Sequence, residues 1–144
     1  MVRRSGTVPG PPDAVWRLVT DPDRLPEWWP GVQRVEEATP EAWTKVLVSS
    51  RGKTVRADYT RLEAQRPRRL LWRHEVEESP FERLLEESLT EIELEPEGPG
   101  STRVALTTRM RLRGWARFGS LQMRVAAARH LRKALAGLER AMGG

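Results

Sequence analysis

The sequence has no cysteine, only two histidines and only one tyrosine among its 144 residues. The lack of cysteine excludes disulfide bonds, thiolate metal sites, iron–sulfur clusters and a cysteine nucleophile. The histidines, His74 and His130, are far apart in the sequence and have no partners at ligand spacing, so we expect no metal site and no cofactor. Glycine-rich phosphate-binding loops and a G-x-S-x-G nucleophile motif are also missing.

Long hydrophobic runs are missing as well. No stretch approaches the ~20 apolar residues of a membrane span, which argues against integral membrane association. Residues 1–6 lack the apolar core of a signal peptide, so a cytoplasmic location is expected. The length fits one domain covering residues 1–144, which is long enough to bury ~68% of the surface of its unfolded chain.

Lysine is scarce: the sequence has 3 lysines and 22 arginines, and its formal net charge is +5. The charge is unevenly spread, because residues 74–100 carry 10 acids and 1 base whereas residues 101–144 carry 10 bases and 1 acid. In the strands predicted here, Glu91, Glu93 and Glu95 share one outward face, and Arg103, Arg109 and Arg111 share the neighbouring one. Such rows neutralise each other, so we expect a solvated surface and only weak, salt-sensitive DNA binding, with no specific nucleic-acid partner.

The chain begins with a short strand near residues 2–8, followed by Pro9-Gly10-Pro11-Pro12. Two short helices are predicted next, the second from about residue 22 to residue 28. The apolar period then changes to two, and this predicts strands near residues 32–38, 42–50, 53–65, 69–77, 86–96 and 102–113. A long amphipathic helix, about residues 115–142, ends the chain, with a stripe at Leu121, Arg124, Ala128, Leu131, Leu135, Leu138 and Met142.

The order of these elements predicts an α+β fold. Consecutive strands joined by short turns must be antiparallel, which gives a seven-stranded sheet. The long C-terminal helix is the only element large enough to cover the apolar face of that sheet. A bent sheet wrapped around one helix often leaves a void between them.

Three segments resemble a known superfamily. They are residues 8–32, VPGPPDAVWRLVTDPDRLPEWWPGV; residues 65–72, QRPRRLLW; and residues 100–104, GSTRV. Together with the long C-terminal helix they resemble the SRPBCC, or START-like, superfamily, and most of all its polyketide cyclase/dehydrase-like branch. The resemblance implies a helix-grip fold with a cavity for hydrophobic ligands, in a group that ranges from lipid carriers to aromatic-polyketide cyclases. The matching motifs are architectural and carry over no catalytic residue.

Tyr59 and His74 are the first candidates for chemistry. Each shares its strand parity with apolar residues, so both side chains project into the cavity if those faces are concave. A histidine with a pKa near neutrality could move a proton in an aldol cyclisation or a dehydration, and a tyrosine could polarise a carbonyl. The simpler interpretation is that both are satisfied core or rim groups.

Arg124 interrupts the apolar stripe of the helix in register with Ala128, Leu131 and Leu135. We expect its guanidinium to lie at the cavity, near Tyr59, His74 or an oxygen of a bound ligand. The alternative is that the helix begins near the cavity mouth and the guanidinium reaches solvent or pairs with a glutamate.

The six tryptophans are many for this length. Flat indole rings suit a site for planar ligands, but they also fill a core. We assign Trp28, Trp29, Trp72 and Met110 to the ligand site, together with Tyr59, His74 and Arg124. Because Trp28 and Trp29 are neighbours at a helix end, we expect at most one to point fully inward and the other to sit at the cavity entrance.

Three functions remain open at this point. The first is binding of a hydrophobic small molecule, lipid or aromatic polyketide-like, between the sheet and the C-terminal helix. The second is a polyketide cyclase/dehydrase-type enzyme that uses Tyr59, His74 or Arg124 in the same cavity. The third is a basic interaction protein without a ligand cavity. A monomer and a homodimer are both compatible with the sequence.

Overall fold

The computed structural model describes residues 1–48, 51–76, 85–114 and 119–143. The strands are β1 (Val2–Pro9), β2 (Val32–Glu36), β3 (Ala42–Val48), β4 (Thr54–Gln65), β5 (Arg69–His74), β6 (Leu85–Pro96) and β7 (Ser101–Leu112). The helices are α1 (Pro12–Val19), α2 (Leu25–Trp28) and α3 (Ser120–Gly143), and a 3₁₀ turn (Pro22–Arg24) precedes α2. The predicted order of elements is confirmed. The predicted start of the last helix at residue 115 lies outside the described residues.

The seven strands form one antiparallel sheet in the order β1-β7-β6-β5-β4-β3-β2. Consecutive strands pair throughout, except that β1 closes against β7, as expected for short turns between strands. The helix α3 packs mainly on β1 and α2, and α1 packs on β6 and β7. This is the predicted helix-grip arrangement of the α+β class.

Alternation along the strands defines the concave face, which holds the core. It carries Trp43, Lys45 and Leu47 on β3, Ala57 and Tyr59 on β4, Leu70, Trp72 and His74 on β5, Thr90, Ile92 and Leu94 on β6, and Val104, Leu106 and Met110 on β7. Most of these side chains are buried. Tyr59 and His74 therefore lie on the cavity side of the sheet, as their parity predicted.

The charged rows on the convex face differ from the expectation in their partners. Glu95 lies directly across from Arg103, as predicted. Glu91 instead pairs with Arg69 of β5, and only 12% of its side chain is exposed. Glu93 pairs with Arg3 of β1, at 2.8 Å. Arginines from β1, β5 and β7 thus lie beside these glutamates of β6, so the charges on this face are balanced across four strands instead of the predicted two.

The buried stripe of α3 also differs from the predicted one. Its buried members are Ala128, Leu131, Ala134, Gly137 and Leu138. Leu121 is 73% exposed and Val125 is 51% exposed, so the first two turns of the helix leave the core. At the other end, Gly137 lies against the backbone of Trp28, and this contact fixes α3 to α2. The stripe is therefore confirmed only from residue 128 onward.

Candidate functional site

Four tryptophans form a continuous layer inside the fold. The rings of Trp28, Trp29 and Trp43 surround Trp72, with centroids 6.4, 5.5 and 5.6 Å from its ring. Trp28 and Trp29 are both buried, at 3% and 8% exposure. The expectation that only one of the pair could point inward is wrong, because their rings meet edge to face at 5.3 Å and both turn toward the core.

A cleft of about 300 Å³ lies between this layer and the helix. Its walls come from Trp29, which directly follows α2, from four strands and from α3. The lining residues are Trp29, Leu47, Tyr59, Ser88, Thr90, Thr108, Met110, Met123, Ala126, Ala127 and His130. We call it the inner cleft. It joins flat rings, flexible thioethers and a few hydroxyl groups, which is the usual chemistry of a site for small apolar molecules.

Two small side chains of the helix, those of Ala126 and Ala127, line the inner cleft between Met123 and His130. Met123, Ala126, Ala127 and His130 recur at helical spacing and form one face of α3. The two alanines leave room where larger residues would touch the sheet. The inner cleft thus exists because the helix face above β6 and β7 is small at this level.

Arg124 belongs to a different space. It is exposed, and it lines a groove of about 540 Å³ with Met1, Val2, Glu86, Thr108, Met110, Arg111, Leu112, Ser120 and Met123. We call this the outer groove. It shares Thr108, Met110 and Met123 with the inner cleft, so the two spaces adjoin. Among the described residues, Arg124 does not line the inner cleft with Tyr59. Arg124 directly follows Met123 in α3, and successive side chains of a helix point ~100° apart, so Arg124 is turned away from the direction of Met123.

Tyr59 and His74 do come together as expected. Their rings stack at 4.8 Å, on neighbouring positions of β4 and β5. Burial raises the pKa of the Tyr59 phenol, so the phenol stays protonated. Burial and the nearby Lys45 lower the pKa of His74 to about 4, so the imidazole is neutral at physiological pH. Tyr59 lines the inner cleft, and His74 lies behind it.

Lys45, which is fully buried, was not predicted as a site residue from the sequence. Its Nζ atom lies 4.0 Å from the ring centroid of Tyr59, 4.4 Å from that of Trp29 and 5.0 Å from that of Trp72. Nζ has no hydrogen-bond partner among the residues that the structure describes. Burial lowers the pKa of Lys45 well below its usual value. The signal available in the sequence was that Lys45 alternates with Trp43 and Leu47 along β3, which places the three side chains on the same face of the sheet.

His130 was also missed as a site residue. Its imidazole meets the Trp29 ring edge to face at 5.0 Å and lines the inner cleft. Burial, and then the charges of Lys45 and Lys133, lower the pKa of His130 to about 4. The signal in the sequence was the spacing of seven residues between Met123 and His130, which places both side chains on the same face of α3. The site therefore holds three basic groups, Lys45, His74 and His130, around a set of aromatic rings.

We expect acid to destabilise the protein between pH 6.5 and pH 5. The folded chain holds His74 and His130 neutral, with pKa values of about 4, whereas the ordinary value is 6.5. The unfolded chain therefore takes up protons first as the pH falls, and each histidine removes up to ~1.4 kcal/mol of stability per pH unit in that window. Urea unfolding at pH 7, 6 and 5 measures this slope, and His130→Gln should remove about half of it. Equal stability at pH 7 and pH 5 would contradict the assignment.

The part of the chain that the structure describes offers neither a metal site nor a membrane span. Within it, no group of three or more histidine and acidic side chains is placed to hold a metal ion. None of its helices is long and apolar enough to cross a membrane.

Comparison with protein families decides the classification. The model of the family described as polyketide cyclase/dehydrase and lipid transport matches residues 1–143. The chain belongs to this family. The match spans both the sheet and α3, which is consistent with the SRPBCC resemblance of the sequence.

Solved structures agree with this family at the level of the fold. A protein from Thermus thermophilus is 26% identical, with a TM-score of 0.74 over 98% of this chain and 95% of that one. The Zhui aromatase/cyclase from Streptomyces sp. R1128 is 18% identical, with a TM-score of 0.75 over 99% and 92%. A START superfamily protein from Mycobacterium smegmatis is 13% identical, with a TM-score of 0.69 over 98% and 97%. A comparison with curated proteins gives no match.

Proposed function

We propose that the protein binds a hydrophobic small molecule, lipid or aromatic polyketide-like, in the inner cleft. The observation that carries this proposal is the cleft itself. It lies between the sheet and α3, and Trp29, Tyr59, Met110 and Met123 supply much of its apolar wall. Its volume of about 300 Å³ is at the lower end of the range for small-molecule sites. Membership of a family that includes lipid transport proteins supports the same conclusion.

The residues assigned from the sequence take different parts in this proposal. Trp29, Tyr59 and Met110 line the inner cleft and would contact the ligand. Trp28, Trp72 and His74 stand behind them and hold their rings in place. Arg124 and Met110 line the adjoining outer groove, which we assign as the approach to the cleft.

A substitution that fills the cleft tests this function. Ala127 lines the inner cleft, so Ala127→Phe should occupy its volume and exclude the ligand. Ala136, an exposed residue of the same helix that lies outside the inner-cleft lining, is the matched position for Ala136→Phe. Native mass spectrometry of freshly purified protein should show a co-purified small molecule in the wild type and in Ala136→Phe. Ala127→Phe should lose at least nine-tenths of it.

Two results would contradict the proposal. One is retention of the same ligand by Ala127→Phe at the wild-type level. The other is a wild-type protein that carries no ligand and takes up none from a panel of fatty acids and aromatic polyketide analogues. The variants should unfold at similar temperatures, which shows that a loss of ligand does not reflect a loss of the fold.

An enzyme that uses the same cleft is the second candidate. Tyr59 and His130 put a protonated phenol and a neutral imidazole on its wall, and these are a proton donor and a proton acceptor. A cyclase/dehydrase would release a product that has lost water, whereas a carrier would return its ligand unchanged. Mass analysis of a poly-β-ketone analogue after incubation separates the two, with His130→Gln as the variant that should abolish turnover and keep binding.

A further inference from the structure

Most of the methionines of the chain gather at one place. Of the four, Met1, Met110 and Met123 line the outer groove, and Met110 and Met123 line the inner cleft as well. Met142 lines neither space, because it lies near the other end of α3 with its Cε atom against Gly10. Met110 of β7 and Met123 of α3 therefore form part of the wall that the two spaces share.

The thioethers of this wall are the sulfur groups that an oxidant in solution meets. The chain has no cysteine, so no thiol competes for the oxidant. Met110 and Met123 are half-buried, and they lie in the outer groove beside Met1, which is 71% exposed. Oxidation of methionine to its sulfoxide turns a flexible apolar side chain into a polar one, and methionine sulfoxide reductases reverse the change.

Hydroxyl groups surround Met110 on the concave face of the sheet. Ser88 of β6 lies directly across from Met110, and Thr90 lies directly across from Thr108, two positions before Met110 on β7. All three hydroxyl residues line the inner cleft. Directly opposed side chains have Cβ atoms ~4.5–5.5 Å apart, so a sulfoxide oxygen on Met110 would have hydroxyl donors within reach. The cleft wall can therefore accommodate the oxidised side chain without unfolding.

We propose that Met110 and Met123 are a reversible oxidation site, and that their conversion to sulfoxides by a peroxide lowers the affinity of the inner cleft for hydrophobic molecules. The step balances: one oxygen atom of hydrogen peroxide passes to each thioether sulfur, the sulfur is oxidised by two electrons, and the peroxide leaves as water. An apolar ligand would then have to strip water from a sulfoxide with which it cannot pair. This inference rests on the proposed function and adds a regulation of the same cleft.

Peptide mass spectrometry measures the modification itself. The native protein is treated with hydrogen peroxide, and the gain of oxygen is followed at each methionine. Met110 and Met123 should react within about tenfold of their rates in the urea-unfolded chain, because the groove gives access to them without unfolding. If both stay reduced in the native protein while they react in the unfolded one, this inference is overturned and the proposed function is untouched.

Titration calorimetry with two neutral probes, 1-decanol and 2-naphthol, measures the effect on binding. After peroxide treatment, the wild type should bind each probe more weakly by about fivefold or more, the effect of an unmatched polar group on the cleft wall. Methionine sulfoxide reductases of both epimer specificities should restore the affinity. Met110→Leu/Met123→Leu has no sulfur at these positions, so its affinity should not change on treatment. Met142→Leu is the matched control and should lose affinity as the wild type does.

The possible results separate this inference from the proposed function. An oxidised wild type with unchanged affinity, or an equal loss in the double leucine variant, would overturn the inference and leave the proposed function standing. An untreated wild type that binds neither probe would overturn the inference as well, and the ligand panel of the cleft-filling experiment would decide separately whether the proposed function falls too.

Discussion

Replacing Lys45 with methionine is expected to raise the free energy of unfolding at pH 7 by about 1–3 kcal/mol, the usual cost of a buried polar group that has no hydrogen-bond partner. The folded chain buries the amine completely and lowers its pKa, whereas the unfolded chain leaves it protonated in water. Removing this mismatch stabilises the fold. Methionine keeps the length of the side chain, and its sulfur retains favourable contacts with the surrounding rings.

The pH dependence of this gain identifies its cause. Folding lowers the pKa of Lys45, so burying this side chain reduces the free energy of unfolding most at pH values well below the ordinary pKa of lysine, where Lys45 of the unfolded chain is protonated. The gain from Lys45→Met should therefore shrink as the pH rises toward 10.5, the ordinary value for lysine. Urea unfolding at pH 7, 8.5 and 10 measures it, with exposed Lys53→Met expected to change stability by less than ~0.5 kcal/mol. A Lys45→Met protein that is less stable than the wild type at pH 7 would show that the ring contacts outweigh the burial of the amine.

The sequence was sufficient for the fold because each element carries a local signal. Period-two alternation and turn residues marked the strands, and short turns left no topology other than an antiparallel one. The family resemblance rested on architectural segments such as residues 8–32, so it extended to the fold and not to the chemistry.

The site was harder to predict, for two physical reasons. Thr44 and Val46 on one face of β3 are buried just as Lys45 is on the other, so parity could not show which face was concave. The helix forms the inner cleft with Ala126 and Ala127, and small residues contribute little to an apolar stripe that leucines dominate. The apolar stripe therefore led to a prediction for Arg124, which is one position away from Met123 on the helix face that lines the cleft.

The close contact between α2 and α3 leads to the second large effect. A Cβ atom at Gly137 would overlap the carbonyl oxygen of Trp28 and would lie 3.0 Å from its carbonyl carbon and its Cα atom. These are backbone atoms, which cannot rotate away as a side chain would. The neighbouring indoles of Trp28 and Trp29 join this contact to the tryptophan layer, so a shift of α2 would also disturb the inner cleft.

Gly137→Ala is therefore expected to destabilise the protein by about 2–3 kcal/mol or more, as overpacking of a rigid interior does. On an unobstructed helix the same change would stabilise by up to ~1 kcal/mol, so the sign of the effect reports the contact with Trp28. Gly6→Ala is the matched control, because its Cβ would meet only the Leu135 Cδ1 atom at 3.9 Å, an ordinary contact. Urea unfolding and the fluorescence of the buried tryptophans measure both variants. A Gly137→Ala protein as stable as the wild type would show that α2 can move away from α3 at little cost, and the close helix contact would then not be what fixes the wall of the cleft.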